Sequence, residues 1–265
     1  MPPDLAFLLS LGLKMAVAAS FVIFASFTAE RAGPLIGAMV ASLPISAGPA
    51  YVFLALDHDS SFIAASALWS LVSNAVTCLF ALVYTAVAQR SGMWLSLAAA
   101  LATWAAAWLV LAAVDWTFPR AFVLTVVVFA VCLPLSSRFR HASMPAPRRR
   151  WYDLPLRALL VAVLIGLVVT LAARLGPAVS GVLAAFPVVF TSLILILHPR
   201  VGGRANAAVI ANAISGLPGF ATALAVVHLA AVPLGTPAAL TLALAIAIGW
   251  NLVVLTVRRR GISAR

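Results

Sequence analysis

Arg31-Ala32-Gly33-Pro34 and Arg174-Leu175-Gly176-Pro177 stand 143 positions apart, and the same offset runs through most of the chain. It takes Lys14 to Arg157, Pro44 to Pro187 and Ala64-Ala65 to Ala207-Ala208. SLGLKMAV at 10–17 falls on DLPLRALL at 153–160, and PLIGAMVASLP at 34–44 falls on PAVSGVLAAFP at 177–187. Ungapped pairs of arginine, glycine and proline are rare by chance in so apolar a chain, which therefore reads as a duplication. In a membrane protein, related halves commonly move against each other around a central site.

The 265 residues are 65% hydrophobic and 9% charged. An ordinary soluble domain carries about 25% charged residues. Too little polar surface is available to cover a water-soluble body, so the bilayer must be the solvent. The net charge of +11 then reports topology, because Lys and Arg collect on cytoplasmic loops. Nucleic acid is not an expected partner. Cys78 and Cys132 both fall in apolar segments and are expected as small core residues without a disulfide. The N-terminus does not read as a signal peptide, since it lacks a basic start and its apolar run contains Lys14.

Hydropathy predicts nine membrane segments, at 8–29, 33–56, 62–88, 93–114, 119–136, 154–173, 177–198, 205–231 and 236–257. Loops on one side then hold fourteen arginines, from Arg31 to Arg265, while the other side holds only Arg120 and Arg174. Such a bias places the N-terminus outside and the C-terminus in the cytoplasm. Segments one to four and six to nine form the halves, with segment five unpaired between them. Equivalent segments are five crossings apart, an odd number, so the halves insert in opposite directions. The expected fold is an all-α polytopic membrane protein with a 4+1+4 inverted repeat. Its parts are 1–117, a linker helix with a basic loop at 118–152, and 153–265. By equivalence with Arg157 beside Asp153, Lys14 stands at the outer mouth of segment one, where a lysine can snorkel.

The Gly-Pro pairs open segments two and seven, where the missing proline N–H has no partner to lose. Pro44 and Pro187 follow ten residues later, about 15 Å along a helix, near mid-membrane. Each removes a helical hydrogen bond there and forces a kink. Paired breaks in corresponding segments point to a transport site, or else both prolines are inherited kinks whose freed carbonyls nearby hydroxyls satisfy. On the first reading Ser42, Pro44, Ser46, Asn74, Pro187, Thr191, Ser192 and Asn212 frame a solute site. Ser66, Ser70, Ser73 and Thr77 share one helical stripe in segment three, which either lines a path or bonds neighbouring helices. Segment eight offers Asn206, Asn212, Ser215, Pro218 and Thr222, with Pro218 suggesting another break. Lys14, Arg31, Arg157 and Arg174 place charge at the segment mouths, where they attract an anion or simply anchor helices at the headgroups. His58, His198 and His228 read as hydrogen-bonded residues near segment ends. Most of the seven tryptophans, Trp250 among them, fit interfacial belts.

All six acids sit at segment ends or in loops, and a mid-membrane carboxylate of the kind common in proton-coupled cation carriers is missing. Catalytic, phosphate-cradling and metal-ligand motifs are also missing, and DHD at 57–59 lacks a second acidic cluster. No enzyme activity, cofactor or metal is expected.

GAMVASLPISAGPAYVFLALDHDSSFIAASALWSLVSNAVTCLFALVYTAVAQR at 37–90 joins a proline-containing second segment to a long third one, and AFPVVFTSLILILHPRVGGRANAAVIANAISGLPGF at 185–220 repeats the pattern. In this each half, at 10–115 and 153–257, resembles the small four-helix GlpM-like membrane proteins. The resemblance implies a fold and transfers no residue role. This chain departs from the family in being fused head to tail through segment five, as though from an antiparallel dimer.

The reading is an inner-membrane carrier of a small anionic or neutral polar solute, working by alternating access. Two other classes stay open: a non-transporting helper of an envelope or biosynthetic complex, and a passive channel. The expected partners are the lipid bilayer, a small solute, and a second copy or another membrane subunit.

Overall fold

The computed structural model describes residues 3–31, 47–140, 142 and 150–263, without the side chains of 3–7, 25–31, 173 and 258–263. Its elements are α1 (Pro3–Arg31), α2 (Ala47–Asp57), α3 (Ser60–Val87), α4 (Met93–Leu111), α5 (Phe118–Ser137), α6 (Asp153–Ala184), α7 (Val188–Val201), α8 (Gly203–Ala213), a 3-10 turn at Ile214–Gly216, α9 (Leu217–Leu234) and α10 (Thr236–Ser263). No strand occurs among the described residues.

Six stretches are long and apolar enough to cross a bilayer: α3, α4, α5, Asp153–Ala172 of α6, Gly203–Leu234 spanning α8 and α9, and Thr236–Val257 of α10. Arg174–Ala184 and Val188–Val201, bent by 44°, add a seventh if they count as one span. The protein is therefore an all-α, multi-pass membrane protein. The expected count of nine becomes six or seven among the described residues. Segment one lies within α1, whose apolar part at Leu8–Phe24 is short. Most of segment two, with Ser42, Pro44 and Ser46, lies outside the described residues.

Local chemistry sets the element ends. Asp59 caps α3, its carboxylate accepting from the Phe62 N–H at 2.8 Å. Gly176 stands at φ +76°, a left-handed conformation that costs glycine little. It interrupts α6 where the Gly-Pro pair predicts a new segment, and Pro177 opens the next turn. Gly202, at φ +82°, turns the chain between α7 and α8. α6 stops at Ala184 and α7 starts at Val188, with Pro187 between them. Proline has no N–H for the Leu183 carbonyl, and the Phe186 N–H takes that carbonyl at 3.0 Å in a tighter turn. Pro218 sits in the first turn of α9, directly after the 3-10 turn, so the expected break in segment eight is present as well.

The helix α3 occupies the centre and touches α2, α4, α5, α6, α8 and α9. Outside it, α1 packs along α6, with Met15 against Gly166. Ser60 and Gly203 begin α3 and α8, and Met93 and Thr236 begin α4 and α10. Both pairs of starts are 143 positions apart. Connections gather alternately at two ends of the bundle. At one end Ser60 and Thr236 share a hydroxyl contact of 3.0 Å. At the other, Gly203 lies against the Ala88 carbonyl, and Arg204 donates to the Gln89 carbonyl.

Candidate functional site

Sequence periodicity put Ser66, Ser70, Ser73 and Thr77 on one stripe, and the stripe faces the broken end of α6. Ser70 Oγ donates to the Gly181 carbonyl at 2.6 Å, Ser73 Oγ to Val182 at 3.2 Å and Thr77 Oγ1 to Ala185 at 3.2 Å. These carbonyls border the break at Pro187. That of Val182 would ordinarily meet the Phe186 N–H, which is diverted to Leu183. Close approach is possible because residue 181 is glycine: a Cβ there would stand 2.1 Å from the Ser66 carbonyl oxygen. Tyr51 of α2 extends the chain by donating to Ser70 Oγ at 2.7 Å. Hydroxyls do serve carbonyls beside the break, that of Val182 in place of its diverted N–H, and they come from α3 across the interface.

The second break is served in the same way. Asn74 Nδ2 donates to the Leu217 carbonyl at 3.1 Å, and Trp250 Nε1 to that of Ser215 at 3.0 Å. The Trp250 ring covers Gly219, so this tryptophan packs beside the 3-10 turn. Asn74 is 1% exposed, and its Oδ1 and the Ser66 Oγ are buried without a hydrogen-bond partner. One straight helix thus supplies polar groups to two broken ones.

The candidate residues divide accordingly. Asn74 bonds the Leu217 carbonyl, and Pro187 follows two residues after Ala185, whose carbonyl Thr77 holds. Thr191 Oγ1 donates to the Pro187 carbonyl, Ser192 Oγ to that of Val189, and Asn212 Nδ2 to those of Ala208 and Arg140. Those three side chains are engaged with backbone.

The mouth charges change role too. Lys14 pairs with Asp57 at the end of α2, so it stands level with the turn into α3 and is not free to attract an anion. Asp153 pairs with Arg200 through both carboxylate oxygens, one at 2.7 Å. Arg157 adds its attraction to Asp153, and the Arg200 guanidinium lies 5.2 Å from the centre of the Tyr152 ring. Arg174 is exposed, and Arg31 is described only as the last residue of α1.

A buried triad went unnoticed in the sequence. Asn206 Nδ2 donates to Tyr84 Oη at 2.6 Å, and Tyr84 shares a 2.8 Å hydrogen bond with His198 Nδ1. It joins the ends of α3 and α7 to the start of α8. Its partners are 114 and 122 residues from Tyr84, and no local spacing announces them. The other histidines are also engaged, His228 Nδ1 with the Ala64 carbonyl at 2.8 Å and His58 stacked on Phe62 at 3.9 Å. Cys78 and Cys132 are buried and unbridged. No group of three metal-ligating side chains occurs among the described residues.

No known family, curated protein or solved structure matches the chain, so the functional argument rests on its own residues.

Proposed function

We propose that the protein is an inner-membrane secondary carrier for a small anionic or neutral polar solute. It works by alternating access between two inverted halves of GlpM-like pattern, residues 1–117 and 153–265, with the N-terminus outside and the C-terminus in the cytoplasm. The supporting observation is the bond from Asn74 to Leu217, two positions 143 apart. If a two-fold axis relates each residue to the one 143 further on, a residue touching its own equivalent lies on that axis. The contacts Ala64–His228 and Tyr84–Asn206 flank this point almost evenly, so α3 and its counterpart α8–α9 run antiparallel. Opposed directions are what an inverted repeat requires and a parallel one forbids. The contacts of α4 with α7 and of α2 with α10 exchange under the same relation.

The break at Pro187 sits beside that axis. A panel of radiolabelled small anions and neutral polar solutes, tested for uptake into proteoliposomes, checks the reading. Pro187→Ala is expected to slow uptake at least about tenfold, the effect of 1.4 kcal/mol on a limiting conformational step. A folded Pro187→Ala protein with unchanged uptake would rule out this placement of the site.

The engagement of Thr191, Ser192 and Asn212 with backbone favours a second reading, a non-transporting helper in an envelope or biosynthetic complex. A stoichiometric partner recovered from native membranes, with no uptake of any solute, selects it.

A further inference from the structure

We propose that the ion pairs Lys14–Asp57 and Asp153–Arg200 are the two gates of this carrier, one at each end of α3, opened in turn. The proposal rests on the carrier reading above. The offset of 143 takes Lys14 to Arg157 and Asp57 to Arg200, so both pairs occupy corresponding places in the two halves. Each ties the first helix of a half to the end of its second: α1 to α2 through Lys14–Asp57, and α6 to α7 through Asp153–Arg200.

The charges are exchanged between halves. The first helix carries the cation in one half and the acid in the other, with Asp153 placed one turn before Arg157 to answer two arginines. The ends differ as well. Asp57 lies two residues from the Asp59 cap of α3, whereas Arg200 lies three residues before Gly203, which packs on Ala88 beyond the other end of α3.

The geometry shows how such a tie can act as a gate. At one end α7 is hinged at Pro187, where the helix axis bends by 44°. At the other it is held by Asp153–Arg200 and by the hydrogen bond between His198 and Tyr84. Release of the ion pair leaves α7 one polar tie short of swinging about Pro187, next to the Ala185 carbonyl that Thr77 of the α3 stripe holds. The side chains of Lys14, Arg200 and Asp153 are only 12%, 10% and 13% exposed, so each closed gate is held firmly and loss of one partner leaves a largely buried charge unpaired.

Accessibility from each side of the membrane tests the gates. The reporter is Ser73→Cys, a near-isosteric change at mid-height of α3, with Cys78→Ala and Cys132→Ala removing both native thiols. The probe is a membrane-impermeant maleimide applied to right-side-out and inverted vesicles. Asp57→Asn should raise labelling from the Lys14 side at least about fivefold, because it leaves the largely buried Lys14 charge unpaired in the closed state. Asp153→Asn should do the same from the opposite side. The exchange Lys14→Asp with Asp57→Lys should restore the original rates and shows that a single substitution acts through charge and not through misfolding. If the reporter is labelled but neither substitution changes its rate, or both open the same side, the gates are overturned and the carrier reading survives. If no variant is labelled from either side, both fall.

Discussion

Two neighbouring helices of almost equal apolarity have opposite fates. Mean hydropathy is 1.7 over α3 and 1.8 over α4, yet 72% of the α3 window is buried and only 17% of the α4 window. Hydropathy measures whether a helix tolerates lipid. Whether it is surrounded by protein depends on what it offers its neighbours, since lipid satisfies apolar surface as well as another helix does. α3 offers Ser70, Ser73, Asn74 and Thr77 to backbone groups of other helices. In α4 the hydroxyls of Ser96 and Thr103 bond carbonyls four residues back, Gly92 and Ala99. Such bonds hold no partner, and α4 shows Trp94, Leu95, Leu109 and Val110 to the surroundings.

The contrast breaks most severely at Gly181. Gly181→Ala would drive a Cβ to 2.1 Å from the Ser66 carbonyl and 2.9 Å from Trp69 Cβ, and backbone cannot yield easily. A loss of about 3 kcal/mol, seen as a fall in thermal midpoint in detergent, is expected from overpacking of this severity. Ala106→Leu on the exposed face of α4 should stay within about 0.5 kcal/mol of wild type. Equal losses for the two would show that α3 is not the tighter interface.

Next comes Tyr84→Phe. It strands Asn206 Nδ2 and His198 Nδ1 inside the protein, at a cost of about 1–3 kcal/mol by the same measurement. Thr103→Val in α4 removes only a bond within its own helix and should leave the midpoint unmoved. Smaller still is Ser70→Ala, which takes one donor from the Gly181 carbonyl. Polar contacts between membrane helices are worth about 0.6 kcal/mol on average and up to about 1.7. A double-mutant cycle with Tyr51→Phe should give a non-zero coupling, because Tyr51 donates to Ser70.

The smallest effect separates the two helix starts by pH. The Phe62 N–H first, and then the Ser61 hydroxyl, hold the Asp59 carboxyl below its ordinary value. Its folded value is thus the lower one, so its contribution is complete above about pH 4 and fades as pH falls through the folded value. Asp59→Asn should flatten this acid-side decline in thermal midpoint. Gly92 caps α4 without a side-chain bond, and Gly92→Ser should leave the acid dependence as it is.

Much of the fold was legible because each crossing is a local sum. Expected segments three, four, five and nine begin within two residues of their helices, and Pro187 and Pro218 mark real breaks, since a missing N–H acts wherever it stands. The candidate site was legible only in part. The stripe on α3 followed from helical periodicity. Its partners, the Gly181, Val182 and Ala185 carbonyls, lie more than 100 residues away and carry no side-chain signal. The pairing of Lys14 with Asp57 and the bond from the Thr191 hydroxyl to Pro187 have no signal in local spacing either.

By itself the sequence determined that this is a helical protein of the bilayer, where several of its helices begin, and where Pro187 interrupts one. Those properties arise from side-chain transfer energies and backbone chemistry within a few turns. Tertiary structure alone decided that α3 is the centre, that its hydroxyls serve the broken end of α6 and its Asn74 the start of α9, and that Lys14 and Arg200 face carboxylates. Hydrogen bonds and ion pairs act over only a few ångströms, and packing decides which distant groups come that close.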